Sequence, residues 1–207
     1  MTATYDLPQV KASLQVDYQV WADGMVKVTE TLETYPESEE EAKKMPGLLR
    51  FGMVMELPHD MDRSTFYGRG PVENYVDRKM SQRLGLYSQS ADEQFYPYIR
   101  PQETGLKSDV RWWRQANGSG QGLKITSAQP FFASALHYDI DTLDEGLDKK
   151  QRHVADLTPS PFTNLFIDGE HAGVGGVNSW SFEGFALPQY RVNYGNRSFS
   201  FFIEPVK

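Results

Sequence analysis

Polar and apolar residues alternate with a period of two along much of the chain. Leu14, Val16, Tyr18 and Val20 occupy even positions, Asp23-Gly24 follows, and Val26, Val28 and Leu32 keep the same phase. Alternation on both sides of an Asp-Gly pair predicts a β-hairpin with one buried face. The same signal places strands at residues 51–57, stopped by Pro58, and at Phe66 and Tyr67 before the turn Gly68-Arg69-Gly70-Pro71. Further strands are predicted at 111–113, with one tryptophan on each face, and at 123–125, 131–138 and 163–168. At the tail, Tyr190, Val192 and Tyr194, then Gly195-Asn196, then Phe199, Phe201 and Ile203 predict a second hairpin. Two helices are expected. One lies within 73–83; the other spans 141–152, acidic at its start, basic at its end, with Leu143 and Leu147 four apart. The charged run at 36–44, PESEEEAKK, reads as a solvated loop, and NGSGQG at 117–122 as a turn.

Counted this way, about ten to twelve short strands separated by turn signals predict an all-β sandwich or barrel. No repeat and no shift of composition divides the chain, so residues 1–207 are expected to form one domain. With 39% apolar and 24% charged residues in 207, a sizeable core is affordable. The 21 basic and 28 acidic residues leave a net charge of −7, without the basic stripe that a nucleic acid or an anionic membrane would require. The absence of cysteine removes disulfides, thiolate zinc sites and cysteine nucleophiles. No stretch approaches the ~18 apolar residues of a membrane span, and the first residues lack a secretory pattern, so the chain is expected to be soluble, in the cytoplasm or the periplasm. Aromatic residues reach 13%, which suits β-sheets and carbohydrate contact alike.

Tests for familiar chemistry return little. Gly173-Val-Gly175-Gly176 lacks the third glycine of a dinucleotide loop and any βαβ context. The acidic segment 139–144 has Leu143 and Asp144 where a calcium loop needs an oxygen ligand and a glycine, so it reads as helix-start acidity. His59, Asp60 and Asp62 offer at most adventitious metal contact, and His137, His153 and His171 lack ligand spacing. Asn117-Gly-Ser and Asn196-Arg-Ser match glycosylation acceptors with no secretion signal to support them. The 28 acidic residues offer many carboxylate pairs and single out none for acid/base work.

Three segments add a resemblance. Residues 67–78, YGRGPVENYVDR, resemble the Gly-Pro-x-Glu-Asn-Tyr-x-Asp-Arg stretch of large bacterial β-galactosidases of glycoside hydrolase family 2. Residues 98–106, YIRPQETGL, resemble their Tyr-x-x-Pro-x-Glu-x-Gly segment, and residues 173–180, GVGGVNSW, their Gly-x-Gly-Gly-x-x-Ser-Trp loop. The order and separations match, most firmly over 48–207. The matching region is the C-terminal, small-chain domain. The resemblance implies a large antiparallel β-supersandwich of the galactose mutarotase type with one or two short helices, and a chain that is truncated on its N-terminal side.

What the resemblance implies for mechanism is specific. These enzymes hydrolyse terminal β-galactosides with retention through two glutamates on a (β/α)₈ barrel. No βα alternation is present here to build one. No residue of this chain is therefore expected to be catalytic, and the chain alone is expected to be inactive. Family metals, Mg and Na, would bind in the other domains, so no cofactor is expected here. The implied partners are a β-galactoside, the remaining domains of the enzyme, above all its barrel, and further copies in a homo-oligomer.

By the same alignment Trp180 is the residue that stacks on the sugar at the mouth of the active site, with Asn178 and Ser179 as neighbours. Without the motif Trp180 would read as a core residue, because buried aromatics outnumber ligand platforms. An indole can lie flat on the C–H face of a pyranose; burying roughly 80 Å² at ~25 cal/mol/Å² is worth about 2 kcal/mol, about thirtyfold in affinity. Val177 and Asn178 stand where relatives often carry acidic residues. Glu73, Asn74, Asp77, Arg78 and Glu103 read as structural, and Trp112 and Trp113 as core or inter-domain surface. Two other functions fit the residues less well. A freestanding galactoside-binding module is one; the other is a mutarotase-like epimerase using His137 or His153 with a carboxylate.

Overall fold

The even-phase hairpin forms as expected: β2 (Ala12–Val20) pairs with β3 (Val26–Thr34), and Gly24 takes φ +87° at the turn. Ahead of it β1 (Thr2–Leu7) adds an outer strand to β2. The coordinates are a computed structural model, which describes residues 1–144, 146, 152–176, 178 and 184–207. The strands that follow are β4 (Arg50–Pro58), β5 (Arg63–Gly70), β6 (Arg83–Ser90) and β7 (Lys107–Ala116). Last come β8 (Gly122–Leu136), β9 (Phe162–His171) and β10 (Arg197–Val206).

Ten antiparallel strands, counted among the described residues, make one branched sheet, and the fold is all-β. Its main path runs β1-β2-β3-β10-β8-β7-β5-β6. The branch point is β8. One edge of this strand pairs with β7. The other pairs first with β10, over Gly122–Thr126, and then with β9, over Phe132–Leu136. Between the two partners lie exposed Ala128, Gln129 and Pro130. Proline has no N–H to give a ladder, so it is tolerated at this changeover. Beyond β9, β4 completes the second branch. Side chains from both branches meet in one core: Val16, Val28 and Phe201 from the β10 side, Phe51, Leu165 and Ile167 from the β9 side, and Trp113 and Ile125 from the stem. Trp113 is fully buried, stacks on Phe66 at 4.7 Å and donates its indole N–H to Gln115 (2.9 Å), whereas Trp112 on the other face is partly exposed.

Several expectations need correction. The sequence signal at 123–125 and 131–138 belongs to a single long strand. The run at 36–44 carries a short helix, α1 (Glu39–Lys44), because Ser38 accepts from Glu41 N at its start and acidic residues precede basic ones. Residues 73–83 are not helical; Glu73, Asn74 and Tyr75 are engaged with distant residues instead. Of the helix expected at 141–152, the described part is α3 (Ile140–Leu143), capped by Asp139, while 145 and 147–151 lie outside the described residues. One further turn, α2 (Ala91–Gln94), has a full capping box between Ser90 and Glu93. The C-terminal hairpin does not form. Val192 makes only an isolated bridge with Leu48, and β10 inserts between β3 and β8.

Candidate functional site

The three motif segments, distant in sequence, converge. Glu73 is the first junction. Its carboxylate, nearly buried, accepts from Gly105 N (2.7 Å), Thr104 Oγ1 (3.2 Å), the Tyr98 hydroxyl and the Arg78 guanidinium. Burial and the Glu73 carboxylate push the Tyr98 hydroxyl up, so it remains a donor. Asn74 is fully buried beside it. Its Oδ1 accepts from Ser108 N (3.0 Å) and from the Ser108 hydroxyl, and its Nδ2 donates to Arg69 O and Val72 O, both at 3.0 Å. The segment 67–78 is thereby fastened to the segment 98–108 through side-chain bonds. These are the structural roles expected of Glu73, Asn74 and Arg78.

A second junction is ionic. Arg50 on β4 grips Asp168 on β9 through three bonds, the shortest 2.6 Å, and reaches Glu103 at 3.3 Å. The Tyr75 hydroxyl donates to Glu103 (3.4 Å), and His171 Nε2 stands 3.9 Å from the same carboxylate. Burial raises the Glu103 carboxyl, but His171, Arg50 and Tyr75 outweigh it and hold it below the usual carboxylate range. Burial pushes Asp168 the other way, upward, against the pull of Arg50. The Tyr75 hydroxyl is driven well up by burial and by Glu103, so it too stays protonated. Each acid here is committed to a cation or a hydroxyl, and each base to an acid or a carbonyl. Such a cluster fixes the geometry of the segments it joins. His171 was not singled out by sequence. Its one local signal is position, three residues after Asp168 and directly before the glycine-rich stretch.

That stretch is the third junction. Ala172 N donates to Leu49 O (2.8 Å), Gly173 N to Tyr190 O (2.7 Å) and Gly175 N to Asp77 Oδ2 (2.7 Å). The approach to Asp77 is close enough that a Cβ on Gly173 would sit 2.5 Å from Oδ2, and one on Gly176 would collide with the Gly184 carbonyl. At Gly176 the obstacle is backbone, so glycine is required there for steric reasons; at Gly173 a Cβ would push the Asp77 carboxylate aside. The two sides of the loop are therefore drawn together at a neck between Gly176 and Gly184, with Asp77 bracing one side. Val174, Phe185 and Leu187 beside the neck are exposed. Asn178 is exposed as well; Trp180 and Ser179, the other residues expected to meet a sugar, lie outside the described residues, as does Val177.

The histidines proposed for an epimerase sit in other surroundings. His137 stacks on His59 at 3.9 Å with Nδ1 3.1 Å from Asp92, whose side chain is 83% exposed; His153 places Nδ1 3.3 Å from Ile99 O. No group of three or more His, Asp or Glu side chains among the described residues is arranged to hold a metal ion. No helix among them is long and apolar enough to cross a membrane.

Comparison with known proteins places this geometry in context. Residues 1–203 match the family described as β-galactosidase small chain. A β-galactosidase of Priestia megaterium is 35% identical over 197 residues, covering 94% of this chain and 18% of that protein. The β-galactosidase BgaC of Bifidobacterium adolescentis is 34% identical over 184 residues, 86% of this chain and 16% of that protein. A β-galactosidase of Lactobacillus delbrueckii subsp. bulgaricus is 36% identical over 173 residues, 83% and 16% respectively. The chain thus spans less than a fifth of the length of these curated relatives.

Proposed function

The chain belongs to the β-galactosidase small-chain family, and from that premise we propose that it is the accessory, non-catalytic wall of a β-galactosidase active site. In this role it presents Trp180, flanked by Asn178 and Ser179, to the sugar and leaves bond cleavage to glutamates on a barrel domain. The observation that carries the reading is one of proportion. Nearly the whole chain matches the family, yet it corresponds to only 16–18% of the relatives named β-galactosidase. The geometry supports it from the other direction. Glu73, Arg78, Tyr98 and Glu103 of the motif segments are engaged with neighbouring side chains, and Asp77 accepts from Gly175 N just ahead of the motif residues that include Trp180. The exposed apolar residues beside the loop neck suit contact with a neighbouring domain.

The test is kinetic and uses the assembled enzyme. Trp180→Ala is expected to raise KM for a disaccharide by about thirtyfold, the value of ~2 kcal/mol of lost stacking, with a smaller effect on kcat. Trp180→Phe is expected to restore part of it. An unchanged KM for Trp180→Ala removes the indole from the site. The purified 207-residue chain is expected not to turn over a chromogenic β-galactoside; glutamate-dependent turnover by that chain overturns the accessory role.

A further inference from the structure

The strand register draws a stripe across the solvent face of the main sheet. Leu86 on β6 pairs with Tyr67 on β5, Tyr67 with Trp112 on β7, Trp112 with Thr126 on β8, and Thr126 with Phe202 on β10. Lys27 on β3 is the next partner, and its Nζ sits 5.9 Å over the Phe202 ring. One residue along, Phe66, Trp113 and Ile125 repeat the register and are fully buried, so the stripe lies on the side turned away from the core. Leu86 is 66% and Tyr67 41% exposed, and Trp112 and Phe202 are partly exposed. Exposed Leu84 extends the stripe on β6, and exposed Trp21, its ring 6.4 Å from Phe202, extends it at the far end. Paired polar groups border it: Thr65 bonds Ser88 (2.8 Å), and Lys124 approaches Glu204 (3.8 Å). An apolar centre inside a polar rim is the anatomy of an interface.

We propose that this stripe is a docking surface, covered in the assembled enzyme by another domain that presents an apolar strip edged with carboxylates. The inference rests on the accessory role proposed above. Length supplies the occupant: the matching segment is only 16–18% of each relative, so most of each relative lies outside it. Charge supplies the occupant's chemistry. The bordering rows carry Arg63, Arg114 and Lys124 against one carboxylate, Glu204, and Lys27 ends the stripe. A chain with a net charge of −7 thus turns a basic face outward here, which suits an acidic edge on the partner. The same cations argue against a second copy, because a two-fold contact sets each patch against its own kind. Size points the same way. The exposed apolar side chains offer roughly 400 Å², inside the ~300–600 Å² of a typical largest surface patch. Separate molecules need ~800 Å² on each side for a stable contact, whereas a tethered domain docks at high effective concentration and holds with less. None of these residues belongs to the loop neck, so the surface is additional to it.

Hydroxyl-radical footprinting of the 207-residue chain and of the assembled enzyme reads the stripe directly. Labelling of Tyr67, Leu86 and Trp112 is expected to fall about fivefold or more in the assembled enzyme, as exposed side chains enter an interface core. Leu86→Glu sets a carboxylate against an apolar, acid-edged partner. It is expected to restore labelling of Tyr67 and Trp112 in the assembled enzyme and to leave the urea midpoint of the 207-residue chain unchanged. Arg63→Glu, at the rim, is expected to reduce protection in the same direction; full protection there overturns the acidic edge. Equal labelling in the two forms overturns the proposal, as does a Leu86→Glu enzyme in which Tyr67 stays protected. Protection of Tyr67 already present in the 207-residue chain and lost on dilution is the sign of a second copy and overturns it too. The outcome is separable from that of Trp180→Ala. An unchanged KM there with a protected stripe removes the sugar contact and keeps the docking surface; a raised KM with a labelled stripe does the reverse.

Discussion

Glu30 is the sharpest probe of the fold. The alternation that turns Val28 and Leu32 into the core carries Glu30 between them, and its carboxyl is buried, with 3% of the residue exposed and Oε2 unpartnered. Burial, helped by the nearby Asp168 carboxylate, pushes it from 4.5 up to about 7. The folded protein therefore keeps this proton between pH 4.5 and 7, whereas the unfolded chain releases it. Stability contributed by neutral Glu30 is fully present below pH 4.5, falls as pH rises towards 7, and levels off above it. Ionising the group inside the fold costs about 3 kcal/mol at pH 8. Glu30→Gln keeps the shape without the charge. The variant's advantage over the native chain should grow by about 3 kcal/mol between pH 4.5 and pH 8, a relative gain of about 1 M in the urea midpoint. Taking the difference between variant and native at each pH cancels titrating groups that do not interact with Glu30, Lys107 among them, and leaves Glu30 with its neighbour Asp168. The assay is urea unfolding of both proteins at pH 4.5, 6 and 8. A difference that stays constant across that range refutes the argument.

Three other changes follow from the junctions. Arg50→Met leaves Asp168 and Glu103 without their cation and is expected to cost about 3–5 kcal/mol in chemical denaturation; a loss under 1 kcal/mol would mean the cluster is not closed. Asp77→Ala removes the acceptor for Gly175 N and should cost only about 1–2 kcal/mol globally while speeding amide hydrogen exchange at Gly175, the readout a remote role would not move. Gly169→Ala sets a Cβ 2.6 Å from the Phe199 ring and should lower stability by about 1–3 kcal/mol in thermal unfolding, through overpacking where the two branches meet.

Period-two alternation makes most of the strands legible because one face of each meets the core, and it leads to the hairpin of β2 and β3 with the right turn; β1 and β6, in which no residue is fully buried, give no such signal. The alternation misleads at 190–194, where Tyr190 closes a 3₁₀ turn (Pro188–Tyr190) and the residues after it are pinned by separate bonds: Leu48 N to Val192 O, and the Tyr194 hydroxyl to Lys11 O. A short alternating run carries no information on whether its backbone partners form a ladder. The helix expected at 73–83 failed for a different reason. Glu73 and Asn74 have partners some thirty residues away that outcompete the i→i+4 bonds of an isolated turn, which local propensity cannot register. At 126–130 the gap between two predicted strands is not a break: the chain only changes partner there.

The site shows the same division between local and distant information. The three motif segments were recognisable as text, and Glu73, Asn74 and Arg78 were read as structural. Yet their residue types are those of acid/base chemistry, and only the partners settle which use is made of them. Arg50 and Asp168 are 118 positions apart, and Asp77 and Gly175 are 98 apart, so no local pattern announces either pair. Once paired, the carboxylates tie distant segments together. Glu103 is held down by three neighbours, Asp168 is saturated by Arg50, and Glu73 has four donors around it. What remains is mechanical: a cross-link from β4 through β9 to the segment that ends at Asp77, and from Asp77 to the neck of a glycine-rich loop. A rigid base matters for a stacking side chain because an indole that must be ordered on binding gives back part of its ~2 kcal/mol. On the role proposed for Trp180, weakening the brace at Asp77 is expected to raise KM in the assembled enzyme in the same direction as removing the ring, by a smaller factor; an unchanged KM for Asp77→Ala separates the brace from the sugar contact.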